Sequence, residues 1–176
     1  MVILGIDPGT ATTGWGIIRQ KGSGKKRESN SHLSLVSFGC ILTDSKDEMG
    51  ERLFILRHSL KKIIKTFSPD CVVVEKLFFG ANSTSALSVG QARGVVLLVA
   101  REYKLPTYEY TGLQVKLTVA DHGRADKKSI QTAVRRHLGI KNLPRPKDQS
   151  GNPVFRFRDD AYDAVAATIC HTLKSK

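Results

Sequence analysis

The chain has 176 residues and 40% hydrophobic content, which suits one domain with a real core spanning 1–176. Lys and Arg number 28 against 16 Asp and Glu, a formal charge of +12, so the long-range field favours a polyanion, with nucleic acid the first candidate. An anionic membrane surface is the rival partner, but no apolar run is long enough to span a bilayer and no secretory leader precedes the first core strand; the expectation is a cytoplasmic protein.

Strand signals open the chain at 2–6, at 14–18, and in an alternating stretch through Leu33, Leu35, Phe38, Cys40 and Leu42. Together they predict an antiparallel meander. The basic, Gly/Ser-rich segment within 22–31 separates the second and third strands and suits a hairpin tip. Leu53, Leu56, Leu60, Ile63, Ile64 and Phe67 then fall at helical spacing, and Ser68-Pro69-Asp70 ends that helix before a strand at 71–75. A second helix, at about 83–103, is apolar around much of its circumference and needs burial in the domain or against a partner. A short strand at 107–110 follows Pro106. Helical patterns return at 113–120 and from Asp126, a candidate N-cap, to Gly139, a plausible stop. The segment 144–157 holds three prolines and cannot be regular throughout. A final helix runs through Ala161, Val165, Ala166, Ile169 and Leu173, with Asp159 or its neighbour as cap. This order predicts an α/β fold, a mixed five-stranded sheet flanked by helices. Cys40, Cys71 and Cys170 are widely spaced in apolar stretches and read as buried thiols, with neither a zinc site nor a disulfide framework implied.

The chemistry sits at the ends of these elements. Asp7 closes the first strand and Glu75 the fourth, while Asp160 and Asp163 lie three apart in the last helix. Strand alternation puts Asp7 on the face of Ile3 and Gly5, and Glu75 on the face of Cys71 and Val73. Small residues there leave room above the sheet. Ala164 and Ala167 lie near the side of the helix that carries Asp160 and Asp163, so this helix can approach the strands and deliver its carboxylates. An alternative role for Asp160 is N-cap, and for Asp163 a first-turn acid favoured by the helix dipole. Gathered acids repel one another unless a divalent cation neutralises them, which points to metal-dependent phosphate chemistry.

Ile-Asp-Pro-Gly-Thr at 6–10 with Gly14-Trp15-Gly16, Val-Glu-Lys-Leu-Phe-Phe at 74–79, Gly90-Gln91-Ala92-Arg93-Gly94, Gln114-Val115-Lys116, and Asp160-Ala-Tyr-Asp163-Ala together closely resemble the RuvC family of Holliday junction resolvases. The resemblance covers nearly the whole chain in the family's order. It implies a ribonuclease H-like fold, a homodimer with two active sites, and symmetric nicking of a four-way DNA junction with Mg²⁺ or Mn²⁺, two ions per site. By matching positions, Asp7, Glu75, Asp160 and Asp163 are the implied metal-binding and catalytic carboxylates. Phe78 matches an aromatic wedge, and Lys116 and Lys127 match basic positions near DNA. Against each stands a bland role: rings packed under the next helix, or solvated lysines. A branch-migration helicase complex is a further possible partner.

Neither histidine nor nucleophilic serine is required by hydrolysis of this type, so His122, His137 and His171 read as surface or packing residues. The expected dimer interface is the apolar helix containing Val95, Leu97, Leu98 and Val99. The segments 22–31 and 144–157 exceed the family pattern, and either extends the DNA-binding surface or is a tolerated insertion. Three other readings compete. A catalytically silent junction-binding module would have lost one or more of the acids, and here all four are present. A related ribonuclease H-like nuclease acting on other branched DNA or RNA shares the acids. An actin-like or sugar-kinase ATP-binding protein also opens on Asp-x-Gly-Thr, but needs a second duplicated domain.

Overall fold

The structure, a computed structural model, describes residues 1–21, 32–76, 83–156 and 158–175. Among the described residues ten elements appear in order: β1 (Val2–Asp7), β2 (Thr12–Gln20), β3 (Leu33–Leu42), α1 (Met49–Phe67), β4 (Cys71–Lys76), α2 (Ser83–Glu102), β5 (Thr107–Thr111), α3 (Gly112–Ala120), α4 (Lys127–Leu138) and α5 (Arg158–Lys174). The five strands form one sheet in the order β3-β2-β1-β4-β5. The first three strands are antiparallel, and β4 and β5 join parallel to β1, which makes the sheet mixed as the element order implied.

Alternation along the strands divides the core in two. Ile3, Ile18, Cys71 and Val73 pack beneath α3, α4 and α5, while Leu4, Ile6, Ile17, Val72 and Val74 pack beneath α1 and α2. All three cysteines are buried free thiols. The expected ends of α4 are also present: the Asp126 side chain accepts from Ser129 N at 2.8 Å, and Gly139 closes the helix at φ 66°.

The closest layer contact is between α5 and the β1–β2 hairpin. A Cβ on Gly5 would lie 2.1 Å from the Ala164 carbonyl oxygen, one on Gly14 2.0 Å from that of Asp160, and one on Gly16 2.5 Å from Val165 Cγ2. Gly5, Gly14 and Gly16 share the sheet face under α5. Their missing side chains let the helix backbone rest on the sheet backbone, and Ala161, Ala164 and Ala167 complete the fit with no exposed surface.

Two expectations change. Asp159 does not cap α5, because the helix already begins at Arg158 and holds Asp159 and Asp160 in its first turn. Val99 does not face a partner: it is fully buried under the sheet with Val96. The outward face of α2 instead carries Leu87 and Leu98, 71% and 55% exposed. The hairpin tip at 22–31 and the ring pair Phe78 and Phe79 lie outside the described residues.

Gly5→Ala is expected to cost about 3 kcal/mol of unfolding free energy, at the upper end of overpacking penalties, since the clash is with backbone. Gly50→Ala, exposed in α1 with open space around its Cβ, is expected to stabilise by about 0.5–1 kcal/mol. Urea unfolding midpoints check both.

Candidate active site

Asp7 and Glu75 reach the same point by register. Ile6 pairs with Val74 in the parallel β1–β4 ladder, so the following Asp7 and Glu75 leave adjacent strand ends side by side on the α5 face. The turn after Asp7 is fixed by its own residues. Thr13 Oγ1 donates to Gly9 O at 2.6 Å, Thr43 Oγ1 donates to Thr10 O at 2.5 Å, and Gly9 leaves no room for a Cβ against the Thr12 carbonyl. From above, α5 brings Asp160 over Gly14, the cross-strand partner of Asp7. Asp163 lies one turn further along.

Electrostatics shows the four acids acting on one another. Burial first, then the charges of Glu75, Asp163 and Asp160, hold the Asp7 carboxyl well above the usual carboxylate range. Burial and Asp163 push Glu75 up to about 7, and burial and Asp160 push Asp163 up to about 6. Asp160 is raised mainly by burial. Lys116 partly offsets the rise at Glu75 and Asp163, and Lys127 does so at Asp7, Asp160 and Asp163. Both sequence-selected lysines therefore stand in the field of the acids. Among the described residues, however, no three carboxylate, imidazole or thiol side chains are close enough together to hold an ion as they stand. The backbone register and the α5 contact nonetheless direct all four carboxylates to one end of the sheet.

Several residues outside the acids support the site, and Gly112 among them carries no sequence signal. Gly112 opens α3 directly beside Glu75, where an added Cβ would sit 2.8 Å from Glu75 Oε1. Asp159 accepts from Lys127 Nζ at 3.2 Å and from Gln131 Nε2 at 2.9 Å, tying the first turn of α5 to α4. Gln114, part of a motif block, forms a reciprocal capping box with Thr111 at the start of α3, the helix that carries Lys116. His171 is a packing residue as expected, 4.3 Å from the Tyr108 ring centroid, with Nδ1 2.9 Å from the Tyr110 hydroxyl oxygen. His122 is exposed, and His137 Nε2 lies 3.0 Å from the Val119 carbonyl. Phe78 follows Glu75 by three positions, beyond the described residues.

The family profile for crossover junction endodeoxyribonuclease RuvC matches residues 3–171 of the chain. The chain belongs to the RuvC family. A RuvC from Desulfitobacterium hafniense is 48% identical over 171 residues, covering 97% of this chain and 92% of that protein. A RuvC from Rubrobacter xylanophilus is 44% identical over 175 residues, covering 99% and 87%. Among solved structures, Thermus thermophilus RuvC in complex with a Holliday junction substrate superposes with a TM-score of 0.81 at 31% identity, over 99% of this chain and 94% of that one. RuvC membership brings the ribonuclease H-like fold, endonuclease activity on DNA and use of a divalent metal. The all-oxygen donor set of the four acids suits a hard cation of that kind.

The raised carboxyls set a pH dependence of stability. In the unfolded chain Glu75 and Asp163 lose their protons near pH 4, whereas the folded protein holds them toward about 7 and about 6 respectively. Extra protons on the folded state stabilise it below the unfolded pKa, and that contribution is lost as pH rises through the folded values. In a chelator, the urea midpoint should therefore fall between about pH 5 and pH 8, and Asp163→Asn should flatten the fall. Millimolar Mg²⁺ should raise the wild-type midpoint more at the higher pH. A wild-type profile as flat as the variant's would contradict the coupling.

Proposed function

We propose that this chain, acting over 1–176 as one ribonuclease H-like nuclease domain in the cytoplasm, resolves four-way DNA junctions in recombination and repair by paired, symmetric phosphodiester hydrolysis. The observation that carries the reading is the convergence of Asp7, Glu75, Asp160 and Asp163 from two strand ends and one helix face, with burial raising all four pKa values and repulsion within the group adding to the rise at Asp7, Glu75 and Asp163. Such a quartet is costly to the free protein and suited to binding cations. Asp7, Glu75, Asp160 and Asp163 hold two Mg²⁺, for which Mn²⁺ substitutes. Bound there, the ions supply an activated water and neutralise charge on the transition state and the leaving oxygen.

The chain's own residues do the rest. The carboxylates orient the site through the fixed ends of β1 and β4, and the closely seated α5 keeps Asp160 and Asp163 over them. Lys116 and Lys127 place positive charge beside the acids, where the scissile phosphate must enter. Lys127 reaches this position while held by Asp159. Phe78 serves as the wedge that stacks on an unpaired base at the branch point. A junction has two-fold symmetry, so a homodimer presents one site to each cleaved strand. Leu87, Gln91, Gly94 and Leu98 form an exposed stripe along α2, and Phe54 adds an exposed ring on the neighbouring α1. That stripe is the proposed interface. A branch-migration helicase complex that moves the junction into a cleavable position is the further partner.

The substrate test is incubation with a synthetic four-way junction, linear duplex, fork and RNA–DNA hybrid, with and without Mg²⁺. Metal-dependent paired nicks in the junction, with little action on the others, are expected. Asp163→Asn should abolish nicking and leave junction affinity within about threefold, because basic side chains carry the phosphate binding. Cleavage at an unchanged rate would remove Asp163 from the site.

Leu98→Glu should shift sedimentation toward monomer and turn paired nicks into single, unpaired ones, since it places a charge in the exposed stripe. A wild-type protein that sediments as a monomer at micromolar concentration, with and without junction, would end the dimer assignment.

A further inference from the structure

The segment 144–156 is a built strap. Lys147 bridges Gly39 in parallel and Pro153 in antiparallel sense, and Cys40 N donates to Lys147 O at 3.0 Å. Gln149 makes a two-point bond with the Leu42 backbone, accepting from its N at 2.9 Å and donating to its O at 2.7 Å. Asp148 accepts from Ser150 N and Asn152 N, which closes a turn through Gly151 at φ 90°. The strap thus folds back on itself while sealing the outer edge of β3. Val154 N donates to Pro146 O at 2.8 Å and the Val154 side chain is buried in the core.

This anchoring leaves Phe155 outside. Its ring is 70% exposed, and the Arg145 guanidinium carbon stands 5.0 Å from the ring centroid. Arg156 is also exposed. Sealing a sheet edge needs the backbone of the strap and the inward Val154, but gives no reason for an outward aromatic flanked by arginines. In the sequence from 141 to 158 five basic residues, Lys141, Arg145, Lys147, Arg156 and Arg158, outnumber the single acid Asp148, whose carboxylate is occupied in the turn. An exposed ring set in fixed positive charge is the chemistry that stacks on a nucleobase while attracting its phosphates.

We propose that Phe155, backed by Arg145, is a stacking platform for a base of the DNA strand held at the acidic site. The placement follows from the chain. Phe155 precedes Asp160 by five residues, at most about 18 Å of extended backbone, or about five stacked nucleotides at ~3.4 Å each. The platform rests on the nuclease reading above and adds a contact on the strap side of the site, where it selects strands able to expose a base.

The test uses the full-length protein and a four-way junction carrying 2-aminopurine singly at each position within five nucleotides of the scissile phosphate. Binding is followed by fluorescence in Ca²⁺, and single-turnover cleavage in Mg²⁺. Wild type should quench the probe at one position. Phe155→Ala should leave that position bright and slow cleavage about tenfold, in the range expected for loss of one base–aromatic stack, with an unchanged thermal midpoint because the ring is exposed. Phe155→Trp should retain quenching and rate, and Phe155→Leu should behave like Phe155→Ala. A Leu variant that matches wild type would overturn the proposal by reducing the ring to apolar bulk. A Phe155→Ala protein indistinguishable from wild type on naked junction would overturn it too, and would leave the surface to a protein partner. Wild type that fails to nick the junction at all would sink the nuclease reading instead.

Discussion

Everything at this site depends on how closely one helix lies on two strands. Van der Waals contact between α5 and the β1–β2 hairpin is made by backbone atoms, with carbonyls of Asp160 and Ala164 lying where side chains would otherwise begin on Gly14 and Gly5. An ordinary helix-on-sheet packing, spaced by two layers of side chains, would hold Asp160 and Asp163 several ångströms farther from Asp7 and Glu75. The three glycines are therefore part of the carboxylate geometry. They touch no substrate and carry no charge, yet the distance between the sheet acids and the helix acids is set by their missing Cβ atoms.

That closeness has an electrostatic consequence. Four carboxyls in a half-buried place have raised pKa values, first through burial and then, at Asp7, Glu75 and Asp163, through one another's charge, so the free protein retains protons there. The fold tolerates this because its rigid parts, the parallel β1–β4 register and the helix contact, fix the backbone, while the conflict is confined to side-chain ends. The positive groups nearby are too few to cancel it. Lys127 is shared with Asp159, and Lys116 approaches mainly Glu75 and Asp163. A residual demand for positive charge remains, which is what a cation-binding centre requires.

Much of this was legible in the residues. Strand alternation placed Asp7 and Glu75 on one face, and the i, i+3 spacing of Asp160 and Asp163 with the small residues Gly5, Ala164 and Ala167 foretold the approach of the last helix. The two corrections share a cause. A sequence window shows that α2 is apolar around much of its circumference but not which side the sheet takes, so the helix named for the interface by Val95, Leu97, Leu98 and Val99 includes one residue, Val99, that is core. Likewise Asp159 has the composition of a cap, but its charge is satisfied by Lys127 and Gln131 of α4, a pairing that depends on where two distant helices meet. Gly112 beside Glu75 was illegible for the same reason. The strap 144–156 showed only prolines and charge, and its hold on β3 passes through backbone groups and one glutamine that no pattern marks.

The sheet's outer edge shows how fold and function share one segment. β3 would expose a row of unpaired backbone groups, a liability in any sheet, and Lys147 and Gln149 occupy it. Val154, buried in the core, lies six residues before Asp160 in the chain. A loop that only covered an edge could afford to be loose. This one is pinned at Gly39, Cys40 and Leu42 on one side and through buried Val154 on the other. The sequence of the strap carries Arg145, Lys147 and Arg156 against the single acid Asp148, so its net charge favours a polyanion.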